Sequence, residues 1–322
     1  MELNKISIRT LSRLGSCGAF GMAALELPKI DDKVVVLTAD LTFYSGLERF
    51  KKEYPDRLYN IGIAEQNMVG IAAGMAKEGL KPFATTYASF ATTRCLDQVK
   101  VNMSYMNLGI KMVGLTSGAS VGILGATHMG HEDIAIVRSM PNVVVLSPAD
   151  CTETYKATIA AAKCNCPVYL RLTGTMNNPS VYMEDYEFEI GKAIKLKDGK
   201  DICIIATGTM VYNSLKAAEE LEKENISCRV LNIHTIKPMD KEAILEAMDF
   251  KLIVTVEEHS VMGGLGSAIS EILSNYENSP PQYTLGFEDK YPHAGEYSYL
   301  IEQYGLTKKQ IAKKIMDRYK GV

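Results

Sequence analysis

Glu65 is the only charged residue between Ile61 and Ala76. A carboxylate in so apolar a run is costly to bury alone. It either pairs with a neighbour or works as an acid with a shifted pKa. Spacing leaves two readings open: an acid that meets the dipole of its own helix N-terminus, or an active-site acid. Tyr87 and Phe90 stand three apart, on one face of a helical turn, and two such rings could sandwich a flat heterocycle. Rings at that spacing serve a core more often than a cofactor. Residues 122–133 form a glycine-rich loop holding His128 and His131. A loop histidine suits acid, base or polar-clamp work, with a hydrogen-bonded structural histidine as the plain alternative. Two histidines alone are thin for a zinc site.

The elements that must position these residues follow from periodicity. Runs at 34–37, 58–61, 82–85, 111–115, 143–146 and 168–172 are mostly continuously apolar. That pattern predicts strands buried on both faces, hence a parallel sheet. Helices are predicted at 62–78, 90–105, 132–139 and 152–164. Asp150 and Thr152 are N-cap candidates for the last, and Pro141 stops the one before it. Glu65 therefore sits on a helix of small residues, Gly70, Ala72, Ala73, Gly74 and Ala76, suited to tight packing, even against another chain. The aromatic pair and the histidine loop each follow a strand. Turn formers at 173–180 and an acidic, aromatic stretch at 182–188 mark a linker. A second alternation follows, with strands at 202–206, 228–233, 252–256 and 283–287. Its helices lie at 212–224, 241–247, 267–276 and 307–319, the last opened by a capping box from Thr307 to Gln310. The predicted fold class is α/β, with two consecutive domains, 1–175 and 191–322, joined by a linker at 176–190. Each carries a mostly parallel sheet flanked by helices. Gly263, Gly264 and Gly266 read as a helix-opening turn and a candidate anion site.

Composition narrows the partners. A net charge of −3 over 322 residues gives no electrostatic reason to expect nucleic acid or an anionic membrane. No apolar stretch is long enough to span a bilayer, and the N-terminus has no secretory segment. The seven cysteines are scattered without a C-x-x-C pair. They point away from a disulfide framework and toward a reducing cytoplasm.

Several segments taken in order resemble the transketolase family. They are Asp40-Leu41 after a strand, Asn60-Ile-Gly-Ile-Ala-Glu65-Gln66, Tyr87-Ala-Ser-Phe90 with Arg94 and Asp97-Gln98, and Gly125-Ala-Thr-His128. Pro141-Asn142, Pro148-Ala-Asp150, Pro167-Val-Tyr-Leu-Arg171, Thr235-Ile-Lys-Pro-Met-Asp240 and Glu257-Glu-His-Ser-Val-Met-Gly-Gly-Leu-Gly266 continue the likeness. The resemblance spans nearly the whole chain and implies a pyrimidine-binding domain followed by a transketolase C-terminal domain. It implies thiamine diphosphate with Mg²⁺ or Ca²⁺. Glu65 then matches the catalytic glutamate that hydrogen-bonds the aminopyrimidine ring nitrogen, so its implied partner lies outside the chain. Tyr87 and Phe90 match the pyrimidine pocket; Asp40, Leu41 and Thr93 match other cofactor-lining positions. His128 matches the catalytic-loop histidine that faces substrate, and Arg9 an arginine for the substrate phosphate.

The family's Gly-Asp-Gly, which holds metal and diphosphate, is not in this sequence. The resemblance thus implies the C-terminal subunit of a split transketolase, whose N-terminal partner subunit carries that motif, in a heterotetramer of two chains of each kind. Four departures concern the sugar. Leu124 stands where an aspartate is usual, Thr116 where a histidine is, and Gly174 where an arginine is. Thr42-Phe43-Tyr44-Ser45 replaces a Pro-Ser. Losing such contacts changes which sugar is preferred, so a non-standard ketose, for example a sulfonated one, is expected. Alternatives are a 2-oxoacid dehydrogenase β subunit, half of a deoxyxylulose-phosphate synthase, and a non-catalytic partner subunit.

Overall fold

The computed structural model describes residues 1–321. In chain order the strands are β1 (Val34–Thr38), β2 (Leu58–Asn60), β3 (Lys81–Tyr87), β4 (Lys111–Leu115), β5 (Val144–Leu146) and β6 (Val168–Arg171). They continue as β7 (Ile194–Lys197), β8 (Ile202–Ala206), β9 (Cys228–Asn232), β10 (Thr235–Lys237), β11 (Leu252–Ser260) and β12 (Gln282–Phe287). Seven strands make one sheet in the order β10-β5-β6-β4-β3-β1-β2, and five make another in the order β12-β11-β8-β9-β7. All pairings are parallel except β10 with β5 and β7 with β9. Every residue of β1, β4, β6 and β8 is buried, as continuous apolar runs between two helical layers require.

Three features depart from the sequence expectations. The chain begins with a long helix, Lys5–Ala24, opened by an Asn4–Ser7 capping box and broken at Gly15, whose φ is 76°. Its Gly21 touches the Gly46 carbonyl so closely that a Cβ would lie 2.0 Å from that oxygen. Strand β11 runs four residues past its expected end and takes in Glu257, Glu258 and His259, all fully buried. Strand β10 leaves the second half of the chain to pair with β5, so the first sheet is completed from beyond the linker.

The 176–190 stretch is tied down. The Asp150 carboxylate accepts from the Val181 and Tyr182 amides at 2.7 and 3.1 Å, and the Tyr186 hydroxyl donates to Glu153 at 2.9 Å. Asp150 also caps the helix Cys151–Lys163, as expected, whereas Thr152 lies inside it. Cys164 and Cys166 are joined by a disulfide across one residue, a local link that the scattered spacing did not suggest; the other five cysteines are free. No helix among the described residues is long and apolar enough to cross a membrane.

Candidate active site

Four neighbouring parallel strands, β4-β3-β1-β2, end side by side, and the chain leaving each end carries one part of the site. The carboxyl edge of a parallel sheet is where such folds collect functional side chains. β1 delivers Asp40 and Leu41, β2 leads through Asn60 to Glu65, β3 ends on Tyr87 just before Phe90, and β4 feeds the His128 loop.

Asp40 adopts a left-handed conformation (φ 59°), which short polar residues tolerate best. Its carboxylate accepts from the Asn60 side-chain amide at 2.8 Å. The Asn60 side-chain oxygen, Oδ1, accepts from the Asp40 and Gly62 backbone amides at 3.1 and 3.0 Å, tying the two strand ends together. The Leu41 amide donates to the Thr38 hydroxyl at 3.1 Å.

Glu65 opens the helix Glu65–Lys77 and is 2% exposed. Its position in the first turn suits the dipole, yet the side chain caps nothing. Both of its described hydrogen bonds fall on Oε1, from Arg94 Nη1 at 2.9 Å and the Thr86 hydroxyl at 3.3 Å. The implied reading placed Glu65's partner outside the chain; the structure shows a protein partner in Arg94. Arg94 claims only one of the two oxygens, because no described residue donates to Oε2. That unclaimed oxygen, on a buried acid whose arginine lies over the Phe90 ring, fits a donor from a bound heterocycle.

Tyr87 is the last residue of β3 rather than part of a helical turn, and Phe90 opens the wide-wound helical stretch after it. The rings meet edge to face, with centroids 5.8 Å apart, so they form a corner rather than two parallel walls. The His128 imidazole closes the corner, 5.8 Å from Tyr87 and 5.2 Å from Phe90. The Arg94 guanidinium lies 3.7 Å from the Phe90 ring centre, so one cation serves both ring and carboxylate. Partial burial pushes the Tyr87 phenol up. The Thr127 hydroxyl shares a hydrogen bond with His128 Nδ1 at 3.0 Å, and no described group occupies Nε2.

Other expected residues have different settings. Thr93 is exposed, with its hydroxyl turned back to the Ser89 carbonyl. Arg9 is exposed on the N-terminal helix and has no described hydrogen bond or ion pair. His131 packs against Phe287, Tyr291 and Tyr304, and burial lowers its pKa to about 4. It belongs to the second domain's aromatic cluster and not to a pair with His128. The candidate anion site at 263–266 is filled by the chain itself, because Glu257 accepts from the Leu265 and Gly266 amides at 2.7 and 2.9 Å. Burial raises Glu257 to about 7 against those bonds. His234 and His259 are likewise buried and lowered to about 4. Arg94 and Asn60 were visible in the sequence as residues without a role. A pairing across 29 positions has no periodic signal, although Arg94 at four residues after Phe90 is at stacking distance for a helix.

Residues 16–177 match the transketolase pyrimidine binding domain, and residues 191–311 match the transketolase C-terminal domain. The chain is 42% identical to a 6-deoxy-6-sulfo-D-fructose transketolase subunit of Clostridium sp. (strain MSTE9), over 90% of this chain and 89% of that one. It is 39% identical to one of the apulose-4-phosphate transketolase subunits of Phocaeicola vulgatus, over 93% and 96% of the two chains. Among solved structures, a split gene transketolase described as an inactive beta4 tetramer superposes with a TM-score of 0.85 at 38% identity, covering 94% of this chain and 97% of that one. With two adjoining domain matches and relatives of the same extent, this chain belongs to the transketolase family.

Proposed function

We propose that this chain is the C-terminal subunit of a split, thiamine-diphosphate-dependent transketolase, moving a two-carbon ketol unit from a modified ketose to an aldose. The observation that carries the reading is the corner of Tyr87, Phe90 and His128 at one sheet edge, joined through Arg94 to a buried Glu65 whose Oε2 is unclaimed. Bound thiamine diphosphate supplies a carbon nucleophile and an electron sink for C–C cleavage. Glu65 would hold its aminopyrimidine through Oε2, with Tyr87 and Phe90 against the ring and Asp40, Leu41 and Thr93 around it. Arg94 keeps the Glu65 carboxyl in one orientation. His128, fixed through Nδ1, offers Nε2 to a substrate oxygen, and Arg9 is the candidate for an anionic tail. We place the division between the two domains at 176–190 and the chain in the cytoplasm, on the five free cysteines and against the single local Cys164–Cys166 link.

The Gly-Asp-Gly half of the site, with Mg²⁺ or Ca²⁺, falls to an N-terminal partner subunit in a heterotetramer. The exposed apolar side chains around the corner support this. Phe43 is 67% exposed, Tyr44 60%, Ile63 77% and Ile123 65%, an edge suited to being covered by another chain. Leu124, also exposed, offers no acceptor where the family's aspartate would meet a sugar hydroxyl. The sulfonated substrate named for the Clostridium relative supports a sulfonated or similarly modified ketose here. The test is to assemble the chain with a Gly-Asp-Gly partner and compare a sulfonated ketose with xylulose 5-phosphate, using an aldose phosphate acceptor. Comparable efficiency on the ordinary sugar would overturn the substrate reading, and absence of any ketol transfer would overturn the reaction.

A further inference from the structure

The loop carrying His128 is held from its own domain, where the Ser89 hydroxyl donates to the His128 carbonyl at 3.2 Å and the Gly174 amide to the Ser120 hydroxyl at 2.8 Å, and also from outside it. It is closed at its base where the Gly118 amide donates to the Gly130 carbonyl at 3.0 Å. Between those points most of its hydrogen bonds are short-range turns, which give it little stiffness of its own. Four attachments reach it from the second domain or the core between the two. The Ala119 amide donates to Glu258 Oε1 at 2.8 Å, and the Gly295 amide donates to the Gly122 carbonyl at 3.1 Å. The Ser260 amide donates to the His131 carbonyl at 2.8 Å. Arg171 Nη2 donates to both the Glu258 carbonyl, at 2.8 Å, and the Gly130 carbonyl, at 3.4 Å.

Glu258 is the side chain among these attachments that bonds the loop directly from β11. It is fully buried, and its other oxygen accepts from the Tyr297 hydroxyl at 2.7 Å and from the Thr209 hydroxyl. Three donors converge on an acceptor-only group, so the carboxylate has a fixed position. The loop fits closely around it: a Cβ on Gly118 would lie 2.3 Å from Glu258 Oε1. A buried acid costs stability unless its partners are complete, and this one is satisfied by donors from both domains.

We propose that Glu258 is a positioning residue for ketol transfer, through which the second domain sets the loop that presents His128 to the substrate. This rests on the reading of His128 as the substrate-facing histidine. It gives the C-terminal domain a part in the reaction although it contributes no side chain to the corner. Replacement by alanine leaves the Ala119 amide and two hydroxyls without an acceptor and frees the loop stem. Glutamine preserves the clamp, because its oxygen still accepts from Ala119 while the Thr209 and Tyr297 hydroxyls rotate to accept from its amide.

The experiment uses this chain assembled with its Gly-Asp-Gly partner subunit, in wild-type, Glu258→Ala, Glu258→Gln, His128→Ala and doubly substituted Glu258→Ala/His128→Ala forms. In Glu258→Ala, hydrogen exchange across 118–130 rises and turnover falls on the order of 10²-fold, the scale of an ångström-level misplacement. Glu258→Gln restores both to within about threefold. In the His128→Ala background the Glu258→Ala change costs less than about threefold, because it acts through a group already removed. Unchanged exchange across 118–130, or turnover losses that multiply, overturns the proposal. If Glu258→Ala fails to fold, Tyr297→Phe removes one of the donors fixing the carboxylate and is read by the same criteria with a smaller effect. An assembled wild-type enzyme without ketol transfer refutes the reaction and not the clamp, which raised or unchanged exchange then supports or overturns.

Discussion

Replacing Glu65 with glutamine separates the two readings of this acid, because structure and chemistry predict effects of different size. The side chain is 3% exposed, with Oε1 held by Arg94 at 2.9 Å and by Thr86 at 3.3 Å. Glutamine retains Oε1, both bonds and nearly the same volume. It changes Oε2, to which no described residue donates, so no donor is turned against a donor. What is lost is the charge on the pair with Arg94. That guanidinium is 42% exposed, so solvent screening holds the pair to about 1 kcal/mol, and neutralising a buried carboxylate returns part of that. The net change in folding stability is therefore within about 1 kcal/mol. A group that must exchange a proton with the cofactor ring contributes on the order of 10²–10⁴ in rate, or about 3–5 kcal/mol of barrier. Urea unfolding of the chain and ketol-transfer turnover of the assembled enzyme at saturating thiamine diphosphate measure the two quantities. Turnover within threefold of wild type would refute the catalytic role. A stability loss above about 3 kcal/mol would mark Glu65 as a structural ion-pair anchor instead.

Purified without a Gly-Asp-Gly partner, the chain is expected to show no ketol transfer and to gain it on mixing; full activity of the chain alone would contradict the split reading. Arg171→Met should destabilise the fold by about 3–5 kcal/mol in urea unfolding, because Arg171 and Asp133 are both 0% exposed and joined at 2.8 Å. Burial alone would raise the Asp133 carboxyl, but Arg171, His259 and Tyr169 hold it below its ordinary value, and removing the arginine strands that charge. A loss under 1 kcal/mol would show the pair to be dispensable. His131→Phe should gain stability relative to wild type as pH falls from 6.5 to about 4. In that window the unfolded histidine takes a proton that the buried one refuses until about pH 4. The difference grows to roughly 3 kcal/mol at the acid end and vanishes above pH 7, and a pH-independent difference in urea midpoints would refute it.

The parallel strands were legible because burial on both faces writes a continuous apolar run, as in Val34–Thr38 and Ile202–Ala206. The capping box at Thr307 and the Asp150 cap were legible because they are local. The N-terminal helix was not, because it contains Gly15, Gly18 and Gly21, which are poor helix formers, while the close approach of Gly21 to Gly46 needs a glycine. The end of β11 was hidden by its charges. Glu257, Glu258 and His259 look like a solvated turn until a helix N-terminus, the loop stem and Asp133 are in place around them. Strand β10 has only three residues, and its partner β5 lies far back in the sequence, so nothing local announces the pairing.

The same distinction explains the site. Glu65, Tyr87, Phe90 and His128 stood out because each is unusual in its own segment, and the strand ends bring them together. Arg94 and Glu258 showed no role in the sequence because each acts on a residue many positions away. These two set what the visible residues can do. Arg94 fixes one oxygen of Glu65 and leaves the other open, and Glu258 fixes the stem of the loop that holds His128. A change in substrate therefore calls for no change in either. Leu124, Thr116 and Gly174 can vary on a loop and strand ends whose anchors lie elsewhere, while Glu65 keeps its bond to Arg94. Substitutions at those three positions should move sugar preference without moving thiamine diphosphate affinity. A variant at Leu124 that weakened cofactor binding as much as it altered the sugar would show that the two halves of the site are not separable in this way.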